Sequence, residues 1–253
     1  MTKTITVTAD HPDLAEQAKA LARELNLPYQ LENTDYQLTH TKAGLTLQNN
    51  HEKKCKPLLI DFGSTLYARR LAKAGRNSEM LVQAMGVKSK EKLSIIDATA
   101  GLGSDGFLLA YVGHRVTLIE RSPVLHALLK DALARAKTNP QLAPALMRIT
   151  LLFGDANTLL AKHHADVIYL DPMFPDRKKS AAVKKDMVML HDLLGAGDEG
   201  ETLFAAAMAA AKKRVVVKRP RLAPTLVAKE PNYSLEGKSS RFDIYLSPLS
   251  PIL

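Results

Sequence analysis

The chain has 253 residues, 46% of them hydrophobic and 24% charged, and carries a net charge of +9. That length suits one large α/β domain, or one with a small addition, and the composition is ordinary for a soluble globular protein. No apolar run could span a bilayer, Met1-Thr2-Lys3-Thr4 lacks the apolar core of a signal peptide, and a single Cys55 excludes an internal disulfide or a cysteine-built zinc site. A cytoplasmic protein is expected, and the basic balance favours a polyanion such as RNA or DNA as partner.

Residues 1–88 mix helix and strand patterns. Leu14, Ala18, Leu21 and Leu25 share one face of a helix predicted from Pro12 to Leu25. Tyr36, Leu38, Leu45 and Leu47 alternate with polar residues around Lys42-Ala43-Gly44, the pattern of a hairpin. Leu58 to Phe62 is predicted as a strand, Ser64 as the cap of a helix through Lys73, and Ser78 to Met85 as a further helical stretch. A small N-terminal α+β appendage over residues 1–88 is expected, followed by a main domain over residues 89–253.

From Leu93 the pattern becomes regular. Strands are predicted over Leu93–Ile96, ending at Asp97, and over Arg115–Ile119, ending at Glu120. Others are predicted over Arg148–Phe153, Asp166–Leu170, Arg214–Lys218 and Arg241–Leu246. Helices are predicted from Ser104 or Asp105 to Tyr111, and from Pro123, capped by Ser122, to about Lys137. Further helices are predicted over Asn157–Lys162, Ala181–Leu194 and an alanine-rich Glu201–Lys213. The last would end in cations, which the helix dipole favours. Strands alternating with helices imply a doubly wound, mostly parallel sheet.

The first of these strands runs into Ala100-Gly101-Leu102-Gly103-Ser104-Asp105-Gly106, and Glu120 lies 19 residues after Gly101. A glycine loop with an acidic residue ending the second strand suits the ribose of NAD or of S-adenosylmethionine (SAM). Charge separates the two. A dinucleotide lays its pyrophosphate on the helix N-terminus, where Asp105 would stand with Asp97 nearby. Like charges at ~4 Å in a partly dry site repel by several kcal/mol. SAM has no phosphate, and its sulfonium and ammonium welcome carboxylates. Alternatively, Asp105 caps the helix and Gly106 lets helix and strand pack closely. In Gly154-Asp155-Ala156, Asp155 could meet an adenine amine or cap the next helix.

Asp171-Pro172-Met173-Phe174-Pro175 follows the apolar run Val167-Ile168-Tyr169-Leu170, at the sheet edge where ligands of α/β folds bind. An exocyclic base amine attacks a methyl well only when acceptors hold its hydrogens as it pyramidalises. The Asp171 carboxylate and Pro172 carbonyl could be those acceptors, and Phe174 could stack on an extruded base. The alternative for Asp-Pro is an ordinary turn, and for Phe174 core packing. The histidines show no metal-ligand spacing, so no metal site is expected.

These features in this order look like a class I (Rossmann-like) SAM-dependent methyltransferase. Asp97-Ala98-Thr99-Ala100-Gly101-Leu102-Gly103, Tyr169-Leu170-Asp171-Pro172-Met173-Phe174-Pro175, Lys213-Arg214-Val215-Val216-Val217-Lys218-Arg219-Pro220 and Arg241-Phe242-Asp243-Ile244-Tyr245 resemble the RsmJ family. The resemblance covers roughly Asp61 to Tyr245 and implies methylation of the N2 amine of one guanine in 16S rRNA of the small ribosomal subunit. It places SAM contacts on Ser104, Asp105, Glu120, Arg121, Asp155, Ala156 and Asp171. Where Ser104 stands an Arg is common in the family, and small serines are common near Asp155 and Ala156.

Lys212 to Arg221 holds six basic residues and no acidic one, and Asp176 to Lys185 holds five basic and one acidic. With Arg69, Arg70 and Arg76 upstream, they form three candidate RNA-facing clusters. Both stretches are expected beside sheet edges, with Arg177, Lys178 and Lys179 as candidates in one and Lys218, Arg219 and Arg221 at the same carboxyl edge as Asp171. Asp243 and Tyr245, on one face of the late strand, are expected to be structural. Three other readings remain open at this stage: an NAD-dependent oxidoreductase, a non-catalytic RNA-binding factor that keeps a SAM pocket, and a methyltransferase for adenine N6 or a glutamine amide.

Overall fold

The computed structural model describes residues 3–52, 56–74, 79–86, 91–172, 189, 192–193 and 200–248. Arg76, Phe174, Arg177, Lys178 and Lys179 lie outside them, as does the helix expected over Ala181–Leu194 apart from Met189, Asp192 and Leu193.

The N-terminal part holds β1 (Ile5–Ala9), α1 (Ala15–Leu25), β2 (Tyr36–Thr41), β3 (Gly44–Asn49) and β4 (Leu58–Leu59), its strands ordered β1-β2-β3-β4. The hairpin forms where expected, and β2 and β3 pair antiparallel. The strand expected over Leu58–Phe62 is only two residues long. Beyond it Phe62 turns into the core, where its ring stacks on Phe107 at 4.2 Å. Next come α2 (Thr65–Ala72), capped by the Ser64 hydroxyl, and α3 (Met80–Ala84).

The remaining elements are β5 (Ser94–Asp97), α4 (Ser104–Tyr111), β6 (Arg115–Glu120), α5 (Pro123–Ala136), α6 (Ala143–Leu146), β7 (Ile149–Phe153) and α7 (Ala156–Leu160). They continue with β8 (Ala165–Leu170), α8 (Gly200–Ala210), β9 (Ala211–Pro220), β10 (Tyr233–Glu236) and β11 (Ser240–Leu246). The strands build a seven-stranded sheet ordered β10-β11-β9-β8-β5-β6-β7. From β9 to β7 neighbours run parallel, and β11 and β10 add an antiparallel edge. This is the doubly wound α/β sheet that the alternating pattern predicted.

One alanine-rich prediction is corrected. The helix expected to reach Lys213 stops at Ala210, because Ala211 already pairs with Ala165 in the sheet. Lys212 and Lys213 are therefore strand residues, and Lys213 binds the Glu91 carboxylate. Ladder hydrogen bonds override alanine's helix propensity here.

Each face of the sheet carries its own apolar layer. Ile96, Ile168, Leu170, Val215 and Val217 pack with Leu203, Phe204 and Ala207 of α8. Ile95, Val167, Tyr169 and Val216 pack with α4, α5 and the N-terminal sheet. Full burial of Phe107, Leu108 and Leu109 on α4 stabilises by about 1.5–3 kcal/mol per side chain. Gly106 lets α4 lie close on the sheet: a Cβ there would stand 2.2 Å from Leu118 Cδ2. The N-terminal sheet is tied to α5 by the Leu45 N–H, which donates to Asp131 at 3.0 Å. Among the described residues no helix is long and apolar enough to cross a membrane.

Candidate active site

The strand order sets the site. The chain leaves β5 towards β6 and β7, then returns to place β8 on the other side of β5. Such a reversal opens a crevice at the carboxyl ends of the two central strands. Asp97 ends β5 and Asp171 follows β8. Because Leu170 pairs with Val217, the next residues, Asp171 and Lys218, lie side by side.

Lys218 Nζ stands 2.8 Å from Asp171 Oδ2 and 2.9 Å from Asp105 Oδ2. Asp105 also accepts from the Tyr169 hydroxyl at 2.7 Å, and Arg70 donates to its other oxygen at 2.9 Å. Arg70 is held in turn by Glu79 at 2.9 Å. It reaches the site because α2 packs over the start of α4: the Tyr67 ring sits edge-on to Phe107, and its hydroxyl donates to the Ser104 carbonyl. The Asp171 N–H donates to Thr99 Oγ1 at 2.7 Å, and the Thr99 N–H donates to Asp97 at 3.2 Å. The end of β5 thus positions the end of β8.

The three carboxylates differ in access. The Asp171 side chain is 38% exposed and that of Asp105 is 14% exposed, whereas Asp97 is closed beneath Gly106 at 2%. Asp171 is therefore the group a substrate can reach, and Asp97 shapes the loop from below. Burial pushes the Asp97 carboxyl up to about 8, and the Asp105 charge adds to this. Burial also raises Asp171, with Lys218 opposing. For Asp105, Lys218 and Arg70 outweigh burial and hold it at about 2.

The raised Asp97 sets a pH dependence. Its folded pKa lies above the ordinary 3.8, so the folded state holds the proton more tightly. Stability then falls as pH rises from about 4 to about 8. Asp97→Asn should flatten this fall and raise Tm by several degrees at alkaline pH, measured by calorimetry across that range. An unchanged slope would show that Asp97 is ionised throughout.

The glycine loop holds Gly101 at φ +52 and Gly103 at φ +70. Glu120, 6% exposed, accepts from the Gly101 N–H and the Ser122 N–H, both at 2.8 Å. Burial raises its carboxyl, opposed by the backbone N–H groups of Ser122, Gly101 and Arg121. A Cβ on Gly101 would meet nothing nearer than the Thr99 carbonyl at 3.8 Å, so the loop leaves open space there. The α4 N-terminus carries the Asp105 carboxylate in place of a phosphate site, and Gly103, not Asp105, is its cap residue. Carboxylates around an open glycine face fit SAM, which joins a ribose to two cationic groups. Ser104 opens α4, and exposed Arg121 follows Glu120. Asp155 caps α7: its Oδ1 accepts from the Asn157 N–H at 2.7 Å, and the helix begins at buried Ala156. Half-buried Pro172 follows Asp171. Among the described residues no group of His, Cys, Asp and Glu could hold a metal ion.

The basic clusters divide. Lys218 and Arg70 were expected on an RNA-facing surface but turn into the carboxylates. Arg219, expected there too, is 4% exposed and donates to the Pro224 carbonyl at 2.8 Å. Strand alternation explains both strand residues: Lys218 projects onto the α4 face and Arg219 onto the other. Arg69 is exposed, and Arg221 is exposed 3.7 Å from Glu236. Asp243 is structural as expected, being fully buried and paired with Arg241 at 2.8 Å. Tyr169 and Thr99 are site members that no sequence signal singled out as functional, whereas Arg70 was expected to face RNA.

Comparison with known proteins agrees with this geometry. Residues 20–247 match the family model described as SAM-dependent methyltransferase. Ribosomal RNA small subunit methyltransferase J of Thioalkalivibrio sulfidiphilus is 44% identical over 241 residues, spanning 93% of this chain and 94% of that relative. The protein of the same name from Coxiella burnetii is 43% identical over 251 residues, spanning 97% and 98%. The crystal structure of the SAM-dependent methyltransferase NGO1261 from Neisseria gonorrhoeae superposes with a TM-score of 0.75 at 32% identity, covering 97% of this chain and 96% of that one. The chain therefore belongs to the ribosomal RNA small subunit methyltransferase J family of SAM-dependent methyltransferases.

Proposed function

We propose that this methyltransferase acts on the exocyclic N2 amine of one guanine in 16S rRNA of the small ribosomal subunit, in the cytoplasm. The observation that carries the proposal is the partly exposed Asp171 carboxylate at the switch point, held by Thr99 and Lys218 beside the SAM-suited loop. The names of the relatives support rRNA as substrate. Guanine N2 rests on the resemblance of the Asp171-Pro172-Met173-Phe174 region to the RsmJ family.

When bound, SAM supplies a methyl on a positively charged sulfur. The chain's own residues do the rest. Asp171 and the Pro172 carbonyl accept the amine hydrogens and aim the nitrogen lone pair, so positioning supplies most of the rate. Glu120 would hold the ribose, Asp105 with Ser104 would meet the cationic end, and Arg121, Asp155 and Ala156 would border the adenosine. By its place in the Asp171-Pro172-Met173-Phe174 motif, Phe174 would be the aromatic to stack on the base. Residues 1–88 form an appendage that lends Arg70 to the site, and residues 89–253 form the catalytic domain.

Exposed Arg69 and Arg221 contact phosphates. Arg69→Glu and Arg221→Glu should each weaken RNA binding whatever the sequence and lower the salt slope by about one. Filter binding at several salt concentrations tests this, and an unchanged slope removes that arginine from the interface.

Transfer of labelled methyl from SAM to small subunits, and separately to naked 16S rRNA, both from cells lacking this protein, tests the function. N2-methylguanosine at one site is the expected product. N6-methyladenosine, or no product despite SAM binding, would reject it.

A further inference from the structure

A lysine shared by two carboxylates at a methyl-transfer site needs a chemical reason. Lys218 is partly buried and bonds Asp105 and Asp171 at once. Among the described residues few other charges face it: Asp97 from β5 adds a third carboxyl, Tyr169 from β8 brings a neutral hydroxyl, Arg219 follows on β9, and Arg70 with Glu79 lies beyond Asp105. Burial disfavours a charge on Asp171, and the Asp105 charge disfavours it further. A protonated Asp171 would present one hydroxyl donor, and its acceptor capacity toward two amine hydrogens would be weakened.

We propose that Lys218 is a positioning residue of methyl transfer: its ammonium keeps Asp171 ionised and aimed, so that the target amine always meets a hydrogen-bond acceptor. This rests on the reading of Asp171 as the amine acceptor. No proton moves through Lys218, which stays protonated throughout. Asp105 keeps Arg70 and Tyr169 as partners when Lys218 is lost, so SAM binding depends on the lysine less than the chemical step does.

The test is the pH profile of single-turnover methyl transfer to small ribosomal subunits, with SAM affinity measured separately by calorimetry. Lys218→Gln should move the acidic limb to higher pH by about one unit or more, a roughly tenfold loss at pH values below both limbs that disappears as pH rises above them. Lys218→Arg should leave the limb where the wild type has it. A Lys218→Gln limb that coincides with wild type above a lowered plateau would overturn the proposal, since a merely structural lysine scales the rate at every pH. Should Lys218→Gln fail to fold, carbon-13 NMR titration of the wild-type aspartates decides, with Asp171→Asn assigning the signal. An ionised Asp171 at neutral pH is expected, and a neutral one overturns the proposal. Asp171→Ala separates the two claims. Its turnover at the wild-type rate would sink the acceptor reading, whereas an inactive Asp171→Ala with an unmoved Lys218→Gln limb would sink only the role of Lys218.

Discussion

Asp171→Ala is expected to lower single-turnover methyl transfer by about 100- to 1,000-fold, the range seen when one preorganised polar contact to a developing charge is removed. The nitrogen gains positive charge as it attacks. An acceptor on its hydrogens is then worth more in the transition state than in the ground state, so the loss falls on kcat. RNA affinity should change little, because the phosphate contacts proposed above lie on other residues. The fold should also hold. Asp171 is the most exposed of the three carboxylates, and Lys218 keeps Asp105 when it is gone. Single-turnover kinetics with binding measured in parallel check this, and turnover near the wild-type rate would remove Asp171 from the chemistry.

Asp105→Ala should be the most destabilising change in the site. Its folded pKa of about 2 lies below the ordinary 3.8. The folded state therefore binds that proton less tightly than the unfolded chain. The contribution is fully present above 3.8 and is lost as pH falls through about 2. The gap corresponds to about 2 kcal/mol. Removing the side chain also strands part of its three donors, although Lys218 retains Asp171 and Arg70 retains Glu79. Those surviving partners keep the loss at the low end for a buried pair, about 3 kcal/mol, or a Tm drop of roughly 6–12 °C. SAM binding should weaken as well. Thermal unfolding at neutral pH and at low pH checks this: the wild-type advantage should vanish in acid. A variant that melts with wild type at neutral pH would show that the three donors hold their places without it.

Sequence signals and final geometry part company at identifiable residues. Ser122-Pro123 marked the start of α5 correctly, because a cap hydroxyl and a proline act within one turn. β1 and β10 were not anticipated. β1 is held by parallel pairing to β2, and β10 by pairing to β11, with Tyr233, Ser234 and Glu236 exposed. β10 owes its existence to that neighbour and has little hydrophobic pattern of its own, whereas in β1 the alternation of Ile5, Val7 and Ala9 with Thr6 and Thr8 is a legible strand signal.

The basic run from Lys212 to Arg221 shows the limit most clearly. As a string it looks like one RNA-facing patch. In the fold it splits among Glu91, which takes Lys213, the pair Asp105 and Asp171, which takes Lys218, the interior, which takes Arg219, and solvent, which takes Arg221. The chain's own sequence determined the parallel sheet, the glycine loop with Glu120, and Asp171 at a strand end. Each of these depends on hydrophobic period, backbone freedom or a cap within a few residues. Only the tertiary structure decided that Lys218 would meet Asp105, 113 residues away, and that Arg70 would enter the site from α2. A charge's partner is chosen by which strands become neighbours and how far water is excluded between them, and neither is encoded within a local window of residues.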